Sequence, residues 1–242
     1  TGRRRARRRG GGVKLTVVIT VFNERETIAE AVAQARDLPI EKQIVIVDNC
    51  STDGTVDILK GLADDSMEIV FQPRNLGFGT SVARGIDLAR GGYSYVHYTD
   101  LEYDPRCVFD MIELADREGL DAVFGSRLLN RKGESAFALV RERPFYLGTI
   151  VTTRLTNLFY GTDFTDIIGA KFYRTESFRA LRPTNLTGIG FDWEVISKLC
   201  KYGCRVREVP VRYTPRTKGK RKIHAYDIIP AIATICRWRL FG

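Results

Sequence analysis

Four apolar runs punctuate the first hundred residues, and each gives way to a polar cluster. They are "KLTVVITVF" (Lys14 to Phe22), "QIVIV" ending at Val47, "MEIVF" from Met67 and "YSYVH" ending at His97. Runs rich in β-branched residues with no polar alternation read as strands buried on both faces, as in a parallel sheet. Between them lie helical stretches. "NERETIAEAVAQA" has Asn23 placed to cap it and acids in its first turn; "TVDILKGLA" and "GTSVARGIDLARGG" follow the next two strands. This alternation predicts an α/β fold, a doubly wound and mostly parallel central sheet flanked by helices.

In such sheets ligands bind beyond the carboxyl ends of the strands. The polar clusters fall there: Asn23 and Glu24 after the first strand, Asp48, Asn49, Ser51 and Asp53 after the second, and "YTDLEYDP" after the fourth. The three ends are expected to converge on one site. Alternate acids such as Asp100, Glu102 and Asp104 suit a hard divalent cation, with a solvated turn as the competing reading. The loop "RNLGFG" sets Arg74, Asn75, Gly77 and Gly79 just before a helix N-terminus, which suits an anion. It lacks the Gly-Lys-Ser/Thr of a phosphate-cradling loop and the spacing of a dinucleotide fingerprint. Acids for a cation, an acid for a base and a basic loop together describe a nucleoside-diphosphate pocket.

Charge adds a second theme. Among 242 residues, 38 Lys and Arg against 29 Asp and Glu leave a net charge of +9, and "RRRARRR" at Arg3 to Arg9 holds much of the excess. Followed by "GGG", residues 1–13 read as a flexible cationic arm. No aromatic residues interleave with its arginines and no nucleic-acid module follows, so an anionic membrane surface or plain solvation is favoured over nucleic acid. Residues 14–223 read as one domain and 224–242 as an amphipathic C-terminal helix, with Ile228, Ile229, Ile232, Ile235 and Trp238 at helical spacing beside Arg237 and Arg239. That helix either anchors at a bilayer interface or docks on the domain's own core. Five scattered cysteines with two histidines argue against a zinc site and for a reduced, cytoplasmic protein. No signal peptide and no apolar run of about 18 residues is seen, so peripheral attachment is the expected form of any membrane contact.

The segments "VVITVFNERETI", "IVIVDNCSTDGT", "RNLGFGTSVARGI", "TDLEYDP", "FGSR", "DIIGAKFYR" and "GFDWEVISKLCKYGCRVREVPVRYTPR" occur in the order and spacing of family 2 glycosyltransferases. Together they resemble the polyprenyl-phosphate sugar synthase branch, typified by dolichol-phosphate mannose synthase, from about Val17 to Ile223. The resemblance implies a GT-A type, Rossmann-like domain that transfers a sugar from a UDP- or GDP-sugar, with inversion, to a dolichyl or undecaprenyl phosphate. It places Asn23, Glu24, Asn75, Gly77 and Arg216 around the donor and Asp48 on its base or ribose. It puts Mg²⁺ or Mn²⁺ on Asp100 and Glu102, with one departure: Tyr98 stands where the family's first acid is usual.

The same resemblance assigns Arg127, one of Arg141 or Arg143, and the run Arg216, Lys218, Lys220, Arg221 and Lys222 to the acceptor phosphate and donor diphosphate, the run acting as a closing lid. Asp100, Asp192, Arg127 and Lys222 are the implied catalytic set. An ionised phosphate nucleophile needs no base, whereas a hydroxyl acceptor would, so Asp166, Asp192 and Glu194 are expected either to orient sugar hydroxyls or to supply that base. Transfer to a hydroxyl acceptor and a non-catalytic sugar-nucleotide-binding role are the alternatives.

Overall fold

All seven residues of β1 (Leu15–Val21) are buried, as a strand at the centre of a parallel sheet must be. The structure is a computed structural model and describes residues 13–131, 133–144, 146–188, 190–216 and 227–242. The cationic arm, apart from Val13, and the basic run with Lys218, Lys220, Arg221 and Lys222 therefore lie outside the described residues.

β1 pairs in parallel with β2 (Lys42–Asp48) on one side and β4 (Tyr93–Tyr98) on the other, and β2 carries β3 (Met67–Phe71). Beyond β4 the direction reverses. β6 (Ala170–Arg174) runs antiparallel to both β4 and β5 (Ala122–Ser126), and β5 carries β7 (Val206–Pro210) in parallel. The result is a single α/β domain around a seven-stranded, mostly parallel sheet of order β3-β2-β1-β4-β6-β5-β7. Because β6 runs backwards, its first residues come level with the carboxyl ends of β4 and β5: Lys171 pairs with Val96 and with Phe124. That reversal brings second-half side chains to the edge where the first-half polar clusters lie.

Helices cover both faces. α1 (Ile28–Arg36), α2 (Thr55–Leu62) and α4 (Cys107–Glu118) bury Ile28, Val32, Leu59, Val108 and Met111 in one core with Val17, Ile19 and Phe172. The other face is covered by α3 (Phe78–Asp87), α7 (Thr175–Leu181) and α8 (Phe191–Lys201). They bury Val82, Ile86, Phe178, Phe191 and Ile196 with Val18, Phe124 and Tyr173. At Gly85 in α3 a Cβ would come within 2.3 Å of Val18, so a side chain there would push the helix off the sheet. α5 (Ala136–Glu142) and α6 (Tyr146–Tyr160) form a smaller cluster through Leu139, Tyr146 and Ile150.

One expectation changes here, and one choice left open by the sequence is narrowed. α1 begins at Ile28, so Asn23 does not cap it; Asn23 is held at φ 53° by bonds to the loop after β2. The C-terminal helix α9 (Ile228–Leu240) docks on the domain itself, sending Ala231 and Ile235 into the second core. Its outer face keeps Ile229 at 69% and Leu240 at 66% exposure, with Phe241 beyond it.

Candidate active site

β1 and β2 end side by side, with Val21 opposite Asp48, and their following loops are stitched together by side chains. Asn23 donates its main-chain N–H to Ser51 Oγ at 2.8 Å and accepts from Thr52 N at 2.7 Å. Glu24 is buried beside them, its N–H donating to Thr55 Oγ1 at 3.0 Å. Asp48 accepts from Ser51 N through Oδ2 at 3.1 Å, while its Oδ1 is buried with no hydrogen-bond partner among the described residues. A buried carboxylate oxygen left unpaired is costly, and a strand-end pocket is where a ligand's donor would repay it.

The loop before α3 is built by an asparagine pair that the sequence reading only half identified. Asn49 Nδ2 donates to Asn75 Oδ1 at 2.9 Å, Asn49 Oδ1 accepts from Leu76 N at 2.8 Å, and Asn75 Oδ1 also accepts from Gly77 N at 3.0 Å. Gly77 adopts φ 88°, and a Cβ there would meet Thr187 Cα at 2.7 Å. The main chain of α3's first turn is partly spoken for, since Thr80 N donates to Leu186 O at 2.9 Å. Asn75 and Gly77 thus shape the rim, and a carbonyl takes part of the positive end expected to hold an anion.

After β4 the chain turns through Leu101 at φ 59° and presents Asp100 and Glu102 together. Arg216, six residues beyond β7, lies between them: Nη2 donates to Asp100 Oδ2 at 2.7 Å and Nε to Glu102 Oε1 at 3.1 Å. The strap that carries it is pinned by Thr214 N to Glu102 O at 2.9 Å and by a bridge between Tyr103 and Tyr213. Burial pushes the Asp100 carboxyl up to about 6, reinforced by the charge of Glu102, with Arg216 pulling the other way. Tyr98, in the place of the usual acid, stacks on Phe78 at 6.1 Å, and burial drives its phenol well above the ordinary range. It offers no anionic oxygen. Asp100 and Glu102 are the right kind of donor for Mg²⁺ or Mn²⁺, but no group of three potential ligands occurs among the described residues.

The second half supplies cations. Arg127, at the end of β5, is buried and clamped by Asp166, with Nε to Oδ2 at 2.6 Å and Nη2 to Oδ1 at 2.9 Å. Nη2 also reaches Thr149 Oγ1 at 3.1 Å, and Nη1 has no hydrogen bond among the described residues. The guanidinium lies 5.5 Å from the rings of both Tyr146 and Tyr213. Arg143 approaches the same Tyr213 ring at 5.3 Å, whereas Arg141 is exposed in the last turn of α5. Of the two arginines left open by the sequence, Arg143 is the one brought beside Arg127.

Three acids with similar sequence surroundings separate sharply. Asp166 is fully buried; burial works to raise its pKa, but Arg127 outweighs this and holds it below the usual carboxylate range. Glu194 accepts from Thr184 N at 2.7 Å and Asn185 N at 2.6 Å and pairs with Lys198 at 2.8 Å. Both are committed to protein partners, so neither presents the uncommitted carboxylate expected to orient sugar or supply a base. Asp192, in the first turn of α8, is partly buried and carries no hydrogen bond among the described residues. Burial raises its pKa, opposed by Lys171. Lys171 and Tyr213 were missed from sequence; the signal for Lys171 was a lone cation inside the strand "AKFYR".

Strand ends that gather acids, an orphaned Asp48 oxygen and second-half arginines are thus the polar groups of the candidate site. The family model for "Glycosyl transferase family 2" matches residues 16–182, and the chain belongs to that family. Its fold is of the GT-A type, as in the solved structures below. It is 25% identical to undecaprenyl-phosphate mannosyltransferase of Micrococcus luteus, over 94% of this chain and 95% of that one. It is 30% identical to glycosyltransferase AglD of Haloferax volcanii over 99% of its own length, but spans only 39% of AglD. Among solved structures, glucosyl-3-phosphoglycerate synthase from Mycobacterium tuberculosis with Mn²⁺, UDP and phosphoglyceric acid superposes with a TM-score of 0.68 at 19% identity, covering 95% of this chain and 80% of that one. The mannosyltransferase PcManGT from Pyrobaculum calidifontis with GDP-Man and Mn²⁺ gives 0.63 at 15% identity, covering 95% and 70%. At those identities the likeness is one of fold.

Proposed function

We propose that this glycosyltransferase moves a sugar from a UDP- or GDP-sugar to a polyprenyl phosphate at a membrane surface. The observation that carries the acceptor assignment is the meeting of Arg127 and Arg143 on Tyr213, whose strap neighbour Thr214 bonds Glu102 of the acid pair. Cations beside the donor's diphosphate end are what a second phosphate needs in order to approach. The name of the Micrococcus luteus relative points the same way.

In this reading Asp48 Oδ1 accepts a hydrogen bond from the base or ribose, and Asn23, Glu24, Asn75 and Gly77 frame the nucleotide. Arg127 and Arg143 hold the lipid phosphate, and Arg216 moves from the acid pair towards the donor diphosphate. Lys222, outside the described residues, joins them by resemblance alone. Asp100 and Glu102 would hold Mg²⁺ or Mn²⁺, which when bound neutralises the leaving diphosphate. A phosphate oxygen of the lipid attacks the anomeric carbon as the bond from that carbon to the diphosphate breaks, and the nucleoside diphosphate departs. The nucleophile is already ionised, so positioning and charge neutralisation do most of the work.

Peripheral attachment at the cytoplasmic membrane face fits the exposed Leu158, Ile229, Leu240 and Phe241 and the arginines of α9; no helix among the described residues is long and apolar enough to cross a membrane. A second reading, transfer to a hydroxyl, has one observation behind it: among the described residues nothing hydrogen-bonds Asp192, and burial raises its pKa, the properties of a general base. The test is incubation with labelled sugar nucleotides and polyprenyl phosphate. Label entering the organic phase as an acid-labile product supports the first reading; label entering only water-soluble acceptors supports the second.

A further inference from the structure

Four aromatic rings lie in a row across the site. Phe78, the first residue of α3, stacks on Tyr98 with centroids 6.1 Å apart, Tyr98 lies 6.0 Å from Tyr103, and Tyr103 lies 5.7 Å from Tyr213. Tyr98 stands where the family's first acid is usual, so that departure supplies one member of the row. The row ends on cations: the guanidinium of Arg127 is 5.5 Å from the centre of the Tyr213 ring and that of Arg143 is 5.3 Å from it. The rings therefore run from the rim of the donor pocket to the pair of arginines assigned to the acceptor.

The two arginines are held by different means. Arg127 is locked by Asp166, which takes Nε and Nη2, and by Thr149, which shares Nη2. Arg143 has no such clamp. It is the C-cap of α5, its Nε is 3.5 Å from Glu142 Oε1, and Glu142 already accepts from Arg131 Nη2 at 2.6 Å. Among the described residues, the Tyr213 ring is what the Arg143 guanidinium lies against. A ring face attracts a guanidinium without consuming its N–H donors, whereas a carboxylate takes two of them. An arginine held on a ring is thus fixed in place with its fork open to a phosphate. The ring itself is moored on the donor side, since Tyr213 bridges to Tyr103 and Thr214 N donates to Glu102 O at 2.9 Å.

We propose that Tyr213 is a positioning residue for the acceptor: its ring holds Arg143 beside Arg127, and its mooring on Tyr103 and Glu102 sets those arginines at a fixed reach from the donor's diphosphate end. The inference rests on the lipid-phosphate reading of the site. In this assignment Tyr213 meets no reacting atom and acts through Arg143. Without the ring face the Arg143 side chain spreads over its other rotamers, and the acceptor phosphate must order it again on binding. The loss falls on the acceptor and leaves the nucleotide alone.

The experiment measures KM for polyprenyl phosphate and Kd for the nucleoside diphosphate in the parent, Tyr213→Phe and Tyr213→Leu. Tyr213→Leu is expected to raise that KM about 2- to 30-fold with the nucleoside-diphosphate Kd unchanged. Tyr213→Phe keeps the ring face and should stay near the parent. In an Arg143→Ala background the Leu substitution should cost less, because the group it acts through is gone. An unchanged acceptor KM in folded Tyr213→Leu, an equal loss in nucleotide affinity, or the full loss retained in the Arg143→Ala background overturns the proposal. Should Tyr213→Leu fail to fold, ¹⁵N relaxation of the arginine Nε–H groups in the parent decides: the Arg143 side chain must be as ordered as that of Arg127, and one as mobile as exposed Arg141 overturns it. If the parent ignores polyprenyl phosphate, the lipid-phosphate reading fails, and the same relaxation measurement still judges the hold of Tyr213 on Arg143.

Discussion

Arg216 Nη2 donates to Asp100 Oδ2 at 2.7 Å, so the acid expected to meet a cation already faces a guanidinium from a strap 116 residues further along the chain. Asp100 and Glu102 are only about one-sixth and one-eighth exposed, at 16% and 13%. Two like charges in that setting need a counter-ion, and Arg216 supplies it. An incoming divalent cation must compete with it. Arg216→Ala is therefore expected to bind Mn²⁺ about tenfold more tightly without nucleotide, the equivalent of about 1.4 kcal/mol, while its affinity for the sugar nucleotide falls. Calorimetric or paramagnetic titration with Mn²⁺ reads this directly; an unchanged Mn²⁺ affinity would remove the competition.

The orphaned Asp48 oxygen gives a second expectation. Asp48→Asn can keep a carbonyl oxygen towards Ser51 N and turns the unpaired acceptor into a donor. Hydrogen bonds to charged groups contribute about 1.5 to 3 kcal/mol, so nucleoside-diphosphate binding should weaken roughly 10- to 100-fold. Thermal stability without ligand should barely change, because Oδ1 has no partner to lose among the described residues. Equal ligand-induced shifts in the two proteins would show that Asp48 does not touch the nucleotide.

Asp166 and Asp192 offer a paired contrast. Asp166→Ala leaves buried Arg127 without its anion, and breaking such a pair costs about 3 to 5 kcal/mol. The midpoint of denaturant unfolding should drop accordingly. Asp192→Ala removes a carboxylate with no hydrogen bond among the described residues, so stability should hold while transfer is lost. The opposite pattern would exchange the roles assigned to them.

His97 makes the fold acid-sensitive. It is buried at the end of β4 with Nε2 3.2 Å from Ala31 O, and burial holds its pKa down to about 4 from 6.5. The unfolded chain takes up the proton first as pH falls, so the histidine's contribution is present above pH 6.5 and drains away between 6.5 and about 4. The full loss is about 3 kcal/mol. His97→Gln should flatten that part of the stability profile, and a profile unchanged in shape would assign the acid sensitivity elsewhere.

The sheet was readable because strands buried on both faces leave uninterrupted β-branched runs, and the site because its acids follow those runs directly. What the sequence could not distinguish was decided by long-range partners. Asn23 has a capping side chain, yet Thr52 N donates to it and the helix begins at Ile28. Asp166, Asp192 and Glu194 look alike in sequence, and only Arg127, 39 residues away from Asp166, and Lys198 beside Glu194 show which are committed. The spacing of α9 announced an apolar face without saying that the domain's own core would receive Ala231 and Ile235.

The central claim is that the nucleophile is a lipid phosphate held by Arg127 and Arg143. The most direct measurement is the rate of nucleoside-diphosphate release from the preferred sugar nucleotide with polyprenyl phosphate or the matched polyprenol as acceptor. The phosphate is expected to stimulate release and become glycosylated while the polyprenol does neither, and Arg143→Ala should reduce that stimulation without changing the Kd for nucleoside diphosphate. Glycosylation of the polyprenol, or no response to the phosphate by an enzyme that turns over with a sugar hydroxyl, would contradict it.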